Sequence, residues 1–468
     1  MTIKIGNAAG FLGDRIDAAY NLLSAADVDV LTLEYLAELT LSILSRAKQS
    51  NPQLGYAKDF VEVATSIIPF LRDRSQLQVI TNAGGVNVAA CAKAIGETIA
   101  DTIPNLKVAA VTGDDILPQI EELQKQGHTF NNLDTGEPLH TLSKPIVSAN
   151  VYMGAAGIIE ALNEEARIVI TGRVADASLT VAPAWHSYDW SADQLDQLAA
   201  ATVAGHLIEC GAQVTGGYSA RPEQWRQATH DIGYPIAEIA SDGSSVITKP
   251  EGTGGRVDRL SVAEQLVYEI GDPENYLTPD VIASFATTNL EELTNDRVAV
   301  NQTKGKPAPD TWKVSLAYEA GYRASAQLLV YGPDCREKAN HCVQLIRRRL
   351  GFDHENESDS RQPRRQPEPF QVELLGSGVG VPALPSGIDP PEVVMRLTVF
   401  DEDRDLVKRF TREIAPLITA GPAGLAGYAA GRIPIQTVLA YWPTLIPKEC
   451  VSPSVVTRTA KQWRELQP

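Results

Sequence analysis

The sequence is poor in cysteine and has no excess of basic residues. Its 468 residues include five cysteines and no CxxC pair, so neither a disulfide framework nor a zinc ribbon is expected, and a reducing compartment fits. The 58 acidic residues outnumber the 41 basic ones and give a formal charge of −17. Such a chain repels a phosphate backbone unless a basic patch is segregated, so we expect no nucleic-acid partner.

Long apolar segments are also missing. The amino-terminal stretch MTIKIGNAAGFLGDR lacks the apolar core of a secretory signal. No segment approaches the roughly 18 uncharged apolar residues of a membrane helix. We therefore expect a cytoplasmic protein without membrane association.

Signatures of nucleotide binding are absent as well. The glycine-rich stretch GNAAGFLG does not have GxGxxG spacing, and no GxxxxGK[ST] segment occurs. A dinucleotide-dependent enzyme is therefore disfavoured, and a nucleotide-dependent ligase is not indicated. A phosphorylated or CoA-linked substrate remains open.

The amino-terminal region instead repeats one pattern: a short apolar run, a polar or glycine-rich turn, and a helical segment. The apolar runs lie at residues 3–5, 28–33, 78–80, 108–111, 146–147 and 168–170. Alternating strands and helices favour a mostly parallel sheet buried by helices on both faces. We predict a large α/β domain over residues 1–300 with a cleft for the active site.

The pattern changes after a loop at residues 301–310. We predict a smaller α+β domain over 311–445 and a carboxy-terminal tail over 446–468. The segment 353–369 has a single aromatic ring, the imidazole of His354, and no aliphatic residue. This composition is typical of a flexible solvated loop. The elements predicted within the smaller domain are two strands around Gly321 in 312–331, helices over 334–350 and 402–418, and strands over 370–375, 392–400 and 435–442.

Polar side chains follow the apolar runs of the large domain. The carboxyl ends of parallel strands meet at one edge of a sheet, where ligands bind. We therefore expect these side chains to share one rim, although they come from distant parts of the chain. They are Asn7, Glu34, Asn82, Asp114, Asn150, Arg173, Asp176 and Ser178.

Several turns at this rim are rich in glycine. Glycine lets backbone N–H groups converge on an anion, and a following helix amino terminus adds positive charge. The alternative is that tight turns need glycine whatever they bind. The residues predicted to bind substrate or an anion are Asn7, Gly10, Asn82, Gly84, Gly85, Asn150, Ser178 and Gly254.

The segment TGRVADASL combines an arginine and a carboxylate within one turn. Arg173 can hold both Asp176 and a substrate carboxylate through its planar fork, although a purely structural ion pair explains the pattern too. Asp114 and Asp176 can each act as a general base or hold a divalent cation, and a carboxylate at this position also caps helices. We assign Asp176, Arg173 and Asp114 as candidate catalytic residues.

The segment GHLIECGAQVTGG brings His206, Glu209 and Cys210 to one side of a helix. This spacing permits a thiolate beside an imidazole, or part of a metal site. The alternative is a small buried cysteine and a histidine bonded to the backbone. We include His206 among the candidate catalytic residues.

Together, the motifs GNAAGFLGDR, TNAGG, TGRVADASL and GHLIECGAQVTGG resemble the family of the acyclic terpene utilisation protein AtuA. The resemblance covers the chain to about residue 300, and GTGGRV with the later GPAG extends it into the smaller domain. It implies a role in the bacterial degradation of branched acyclic terpenes, whose intermediates are CoA thioesters. It implies no catalytic residues.

The motifs and the resemblance lead to one expected function and one alternative. We expect a catabolic enzyme that acts on a small acyl compound or an acyl-CoA by lyase-like or hydratase-like acid–base chemistry. The alternative is a non-catalytic subunit that binds an acyl ligand or a partner enzyme. A divalent metal is compatible with the carboxylates, and we expect a homo-oligomer.

Overall fold

The computed structural model describes residues 2–221, 229–352, 366–377, 390–427 and 431–466. The chain forms two compact units. The large unit consists of residues 1–317 and 441–468, and the small unit consists of residues 318–440. The chain therefore enters the small unit once and leaves it once, and its last residues belong to the large unit.

The elements are numbered in chain order over the described residues. The strands are β1 (Ile3–Asn7), β2 (Val30–Leu33), β3 (Gln78–Thr81), β4 (Lys107–Thr112), β5 (Ile146–Val151), β6 (Ile168–Thr171), β7 (Ile236–Ile239), β8 (Ser245–Thr248), β9 (Tyr276–Leu277), β10 (Ile282–Ser284), β11 (Asn289–Thr294), β12 (Arg297–Asn301), β13 (Lys304–Lys306), β14 (Thr311–Tyr331), β15 (Phe370–Leu375), β16 (Glu392–Asp401), β17 (Leu425–Ala426), β18 (Gln436–Pro447) and β19 (Ser454–Thr459). The helices are α1 (Ala18–Ala25), α2 (Glu38–Ser50), α3 (Asp59–Ser66), α4 (Ile68–Asp73), α5 (Val88–Ile99), α6 (Ile120–Lys125), α7 (Ala156–Asn163), α8 (Ser178–Tyr188), α9 (Leu195–Glu209), α10 (Arg259–Leu266), α11 (Cys335–Leu350), α12 (Arg404–Thr411), α13 (Leu417–Ala420) and α14 (Ala460–Arg464).

The large unit is built on a ten-stranded sheet in the order β11-β12-β8-β7-β1-β2-β3-β6-β4-β19. Its central strands β1, β2, β3, β6 and β4 are parallel to one another, whereas β7 pairs antiparallel with β1 and β19 pairs antiparallel with β4. Strands β2 and β6 are buried along their whole length, as apolar runs in a parallel sheet must be. The chain is thus a mixed α/β protein with a sheet that is mainly parallel at its core.

The last residues of the chain form the edge of this sheet. Strand β19 pairs with β4 from Ser454↔Thr112 to Thr459↔Lys107, and α14 places the buried Trp463 in the same core cluster as α5. Residues 446–468, expected from the sequence to be a tail, therefore contain a strand and a helix of the large unit. The physical reason is that β4 would otherwise expose an unpaired edge.

The small unit holds an antiparallel sheet in the order β15-β16-β14-β17. Helices α11 and α12 bury apolar residues, including Cys342, Ile346 and Phe410, in one core with the sheet. The segment 353–369 is expected to be a loop, and its residues 353–365 lie outside the part of the chain that the structure describes.

Three expected elements differ from the structure. Residues 311–331 form one strand through Gly321, because the antiparallel pairing of Tyr322–Tyr331 with β16 continues to that glycine. The helix expected over 402–418 is divided into α12 and α13, and Pro416, which has no N–H to donate, caps the second. Strand β5 lies outside the ten-stranded sheet and pairs with β14.

Within the described residues, no helix is both long enough and apolar enough to cross a lipid bilayer.

Candidate active site

A cavity of about 400 Å³ opens at the carboxyl ends of β1 and β2 in the large unit. Its position is the one at which open α/β sheets bind ligands. The lining contains five carboxyl side chains and four aromatic rings, and no Lys or Arg among the described lining residues. The lining residues are Gly10, Phe11, Asp14, Glu34, Leu36, Ala37, Asp176, Glu209, Cys210, Ala212, Gln213, Gly217, Tyr218, Tyr234, Tyr268 and Glu269.

Arg173 lies beneath this wall and holds it together. Its side chain is 2% exposed, and its Nη1 donates to Asp176 Oδ1 at 2.6 Å and to the Leu36 carbonyl at 2.8 Å. The guanidinium also stacks on the Tyr152 ring at 4.1 Å. Arg173 does not line the cavity, so it supplies a charge that fixes Asp176, whose side chain is 35% exposed.

Glu34 is a buried carboxyl group in which one oxygen accepts hydrogen bonds and the other does not. Its Oε1 accepts from the Leu36 N–H at 2.8 Å and from Asn82 Nδ2, whereas Oε2 has no hydrogen-bond partner among the described residues. Burial raises the pKa of Glu34 well above its usual range, the charge of Asp176 raises it further, and Arg173 opposes both. Glu34 therefore holds a proton more readily than an exposed glutamate does, and in its protonated form it can donate a hydrogen bond.

His206 and Glu209 form a buried pair at the end of α9. His206 Nδ1 lies 3.2 Å from Glu209 Oε1, and Nε2 lies 2.9 Å from the Gln265 carbonyl oxygen. A carbonyl only accepts, so Nε2 carries a proton, and Nδ1 and Glu209 share the next one. Burial raises the pKa of Glu209 to about 7, against the opposing effect of His206. Burial acts to lower the pKa of His206, but Glu209 and the Gln265 carbonyl raise it overall.

Cys210 follows this pair and lines the cavity, but it is a poor nucleophile. Burial raises the pKa of its thiol to about 12, and the charge of Glu209 raises it too. The thiol is therefore protonated at neutral pH. Gly10 packs against it so closely that a Cβ there would lie 2.8 Å from the Cys210 carbonyl carbon, which explains the glycine.

Asp114 supports the Arg173 turn from outside the cavity lining. Its Oδ2 accepts from the Arg173 N–H and from Asn150 Nδ2, both at 2.8 Å. Burial raises its pKa to about 6, although both hydrogen bonds act to lower it. A Cβ on Gly172 would lie 2.2 Å from Asp114 Oδ1, so the turn between β6 and Arg173 requires glycine.

Asn7 and Asn82 act as braces rather than as ligands. Asn7 Nδ2 donates to the carbonyls of Ile208 at 2.7 Å and Glu209 at 3.0 Å, which joins the end of β1 to the end of α9. Asn82 holds Glu34 and also accepts from the Tyr35 N–H at 2.8 Å. Both amides therefore position carboxyl groups that line the cavity.

The other residues predicted to bind an anion lie outside the cavity lining. A Cβ on Gly84 would lie 2.5 Å from the Thr171 carbonyl oxygen, and Gly85 packs as tightly, so both serve close packing. The Gly254 N–H donates to the Asp231 carbonyl at 2.7 Å. Ser178 Oγ donates to the buried Asp280 at 3.0 Å, and Asn150 lines a separate cavity of about 230 Å³.

The structure thus brings Gly10 and Asp176, of the residues predicted from the sequence, into the cavity wall. Arg173, Asn82, His206 and Asn7 act through the carboxyl groups that they contact. The sequence predicted Glu34 at the rim and Glu209 on the same side of a helix as His206, but it did not assign either residue a catalytic or binding role. Asp14, Tyr234, Tyr268 and Glu269 carry no comparable sequence signal.

No cluster of three or more His, Cys, Asp or Glu side chains within the described residues is arranged to hold an ion.

Comparison with known proteins identifies the family of the chain. Residues 3–457 match the acyclic terpene utilisation family protein AtuA. Neither the curated proteins nor the solved structures give a match. The matched region includes every described residue that lines the cavity and nearly the whole chain, and the chain therefore belongs to the AtuA family.

Proposed function

We propose that this protein is an enzyme that moves protons on a small branched acyl compound, such as a CoA thioester, in the use of acyclic terpenes. The reaction is of the lyase or hydratase type. One observation carries the proposal: two buried carboxyl groups and one carboxylate in an ion pair line one cavity. Burial raises the pKa of Glu34, and it raises the pKa of Glu209 to about 7, while Asp176 forms an ion pair with Arg173. When the environments of two carboxyl groups give them different pKa values, one can act as the acid and the other as the base in the same active site.

The geometry suggests one role for each group. Asp176 removes the proton next to the substrate carbonyl, and the resulting negative charge moves onto the carbonyl oxygen, which accepts a hydrogen bond from protonated Glu34. Glu209 protonates the departing hydroxyl, so that a C–H and a C–O bond break, a C=C bond forms and water leaves. The proton that Glu209 shares with His206 leaves with the water, and solvent then returns a proton to this pair while Asp176 releases to solvent the proton that it removed. Hydration is the same sequence in reverse.

The charge of the cavity wall restricts the substrate. No Lys or Arg is among the described lining residues, so a free carboxylate or phosphate that enters the cavity meets the charge of Asp176 with no cation in the wall to offset it. The group that enters is therefore neutral, such as a thioester rather than the free acid. Arg173 is buried beneath Asp176, so it positions the base instead of holding the substrate.

The test is hydrogen exchange at the carbon next to the carbonyl. A branched enoyl thioester is incubated with the protein in D₂O, and deuterium uptake, which for this substrate requires addition of water as well as protonation of that carbon, is followed by mass spectrometry. We expect Asp176→Asn and Glu209→Gln each to lower the rate by about 10²-fold or more, with thermal melts establishing that both variants fold.

Two exposed carboxylates of the same unit provide the controls. Asp27→Asn and Glu251→Gln make the same chemical changes away from the cavity, and both should retain the wild-type rate. Exchange that survives in Asp176→Asn and Glu209→Gln would contradict the proposal. Binding of the thioester without exchange in the wild type would indicate an accessory protein that binds acyl ligands.

A further inference from the structure

The small unit contains a groove of about 570 Å³ whose charge is opposite to that of the whole chain. Four of its lining residues are cationic, and no described lining residue is acidic. The lining residues are Arg404, Lys408, Thr411, Arg412, Ala415, Pro416, Arg432, Ile433 and Ile435. In a chain of formal charge −17, this groove is a segregated basic patch, and we call it the basic groove.

Helix α12 and the turn after it build one wall of the basic groove. Leu406, Val407 and Phe410 are buried in the core of the small unit. Because residues four apart share a helix face, Arg404 and Lys408 extend from the opposite side, and Arg412 continues the row. Three cations thus line one wall.

These cations are not neutralised by their acidic neighbours. The Asp403 carboxylate caps α12 and accepts from the Asp405 N–H at 2.8 Å, and Glu413 lies 3.7 Å from Arg349. Within the described residues, no ion pair joins an acidic side chain to any of the four cations. The positive charges of Arg404, Lys408 and Arg412 follow one another about one helical turn apart and repel one another, so a bound anion would stabilise the groove.

Apart from Thr411, the remaining lining of the groove is apolar. Ile433, Ile435, Ala415 and Pro416 provide a surface for a ring or alkyl portion. A volume of this size suits a ligand of nucleotide size. We propose that the basic groove binds a small organic phosphate that carries two or more phosphate groups on a partly apolar body. This site is independent of the carboxyl-lined cavity and of the reaction proposed for it.

Calorimetric titration of the full chain at low ionic strength tests this site. The probes are adenosine 3′,5′-bisphosphate, ATP, pyrophosphate and adenosine. We expect both nucleotides to bind, pyrophosphate to bind about tenfold more weakly because it lacks the apolar body, and adenosine not to bind. Arg412→Gln should weaken nucleotide binding by about tenfold, which is typical of losing one charge-assisted hydrogen bond.

The matched control is Arg348→Gln, which removes an exposed arginine from α11 in the same unit. Arg348→Gln removes one positive charge, as Arg412→Gln does. Its affinity for the nucleotides should stay within about twofold of that of the wild type. Thermal melts establish that both variants fold. Absence of nucleotide binding at millimolar concentration would overturn the proposal. Equal weakening by Arg412→Gln and Arg348→Gln would also overturn it, since it would indicate attraction by net charge alone.

Discussion

Arg173 is the residue on which the charge of the cavity wall depends. Its guanidinium is almost fully buried and contacts Asp176, the Leu36 carbonyl and the Tyr152 ring. A buried cation is stable only when such partners compensate its lost hydration. The sequence pattern of an arginine three residues before an aspartate indicated this ion pair. The structure adds that the guanidinium of Arg173 is the buried partner.

Replacing Arg173 by Met should lower the free energy of unfolding by roughly 3 kcal/mol, because the Leu36 carbonyl and Asp176 lose their donor. Urea denaturation measures the loss. In an Asp176→Asn background the same replacement should cost about 1 kcal/mol less, since no carboxylate is then left without its partner. Strictly additive losses in the double variant would show that the ion pair contributes nothing.

Glu209 is expected to make stability depend on pH. Its pKa rises from an ordinary 4.5 to about 7 in the folded protein, so the folded state binds the extra proton between these values. Stability from this group is therefore present below about pH 4.5 and is lost as the pH rises through about 7. Glu209→Gln should raise the free energy of unfolding at pH 8 by on the order of 1–3 kcal/mol relative to the wild type, and much less at pH 5.

Denaturation of both proteins at the two pH values checks this expectation, with Glu251→Gln as the control. The control replaces an exposed side chain and should leave the pH dependence unchanged. A Glu209→Gln variant that loses stability equally at both pH values would show that the His206 contact outweighs the burial of charge.

At the scale of elements, the turn after β6 joins the sheet to the cavity. Gly172 lies between Thr171, the last residue of the strand, and Arg173. The Asp114 carboxylate fills the space beside its Cα and is held in place by two hydrogen bonds. The turn is therefore fixed by contacts from β4 as well as by its own sequence.

Gly172→Ala should destabilise the protein by about 1–3 kcal/mol, because the new methyl group overlaps Asp114 Oδ1. It should also lower the exchange rate of the proposed reaction, since Arg173 and Asp176 follow on the same turn. Gly271→Ala is the control, because a Cβ there meets nothing within 4 Å. Urea denaturation compares the two, and equal stability would contradict the close contact.

Elements with strong local patterns were predicted well, and elements that depend on distant partners were not. The apolar runs that form β1, β2, β3, β4 and β6 are short and bounded by polar or glycine-rich turns, so they identify themselves as buried parallel strands. Strand β19 has no such signal. Its position depends on pairing with β4, more than 300 residues earlier in the chain.

At the scale of the whole molecule, burial of several carboxyl groups should lower the pH of greatest stability. Burial raises the pKa of Asp114 to about 6 and of Glu209 to about 7, and it also raises the pKa of Glu34, Asp115 and Asp280. The folded state holds these protons more tightly than the unfolded state does, so stability falls as the pH rises through these values. Carboxyl groups with a lowered pKa, such as Asp258 beside Arg221, lose their contribution as the pH falls below their usual range.

We therefore expect the melting temperature to be highest at about pH 5 and to decrease toward pH 8. Calorimetric scans across this range measure it. The double variant Asp114→Asn and Glu209→Gln should flatten the decrease. A melting temperature that rises from pH 5 to pH 8 would show that ion pairs, rather than buried carboxyl groups, dominate the pH dependence.

The sequence by itself determined the α/β class of the chain and the parallel core of the sheet. These features follow from local patterns, because the period of apolar residues and the turns that interrupt it are properties of neighbouring positions. The family motifs likewise lie in continuous stretches, and their resemblance to AtuA is confirmed over residues 3–457.

Only the tertiary structure decided which of the polar residues line the cavity and which support it. Arg173 is buried and Asp176 is partly exposed, although they lie three residues apart, because Tyr152 and Leu36 from other segments cover the guanidinium. The protonation of Glu34 and Glu209 likewise depends on burial by segments distant in the chain. Desolvation and the field of neighbouring charges act through space, so no local pattern contains them.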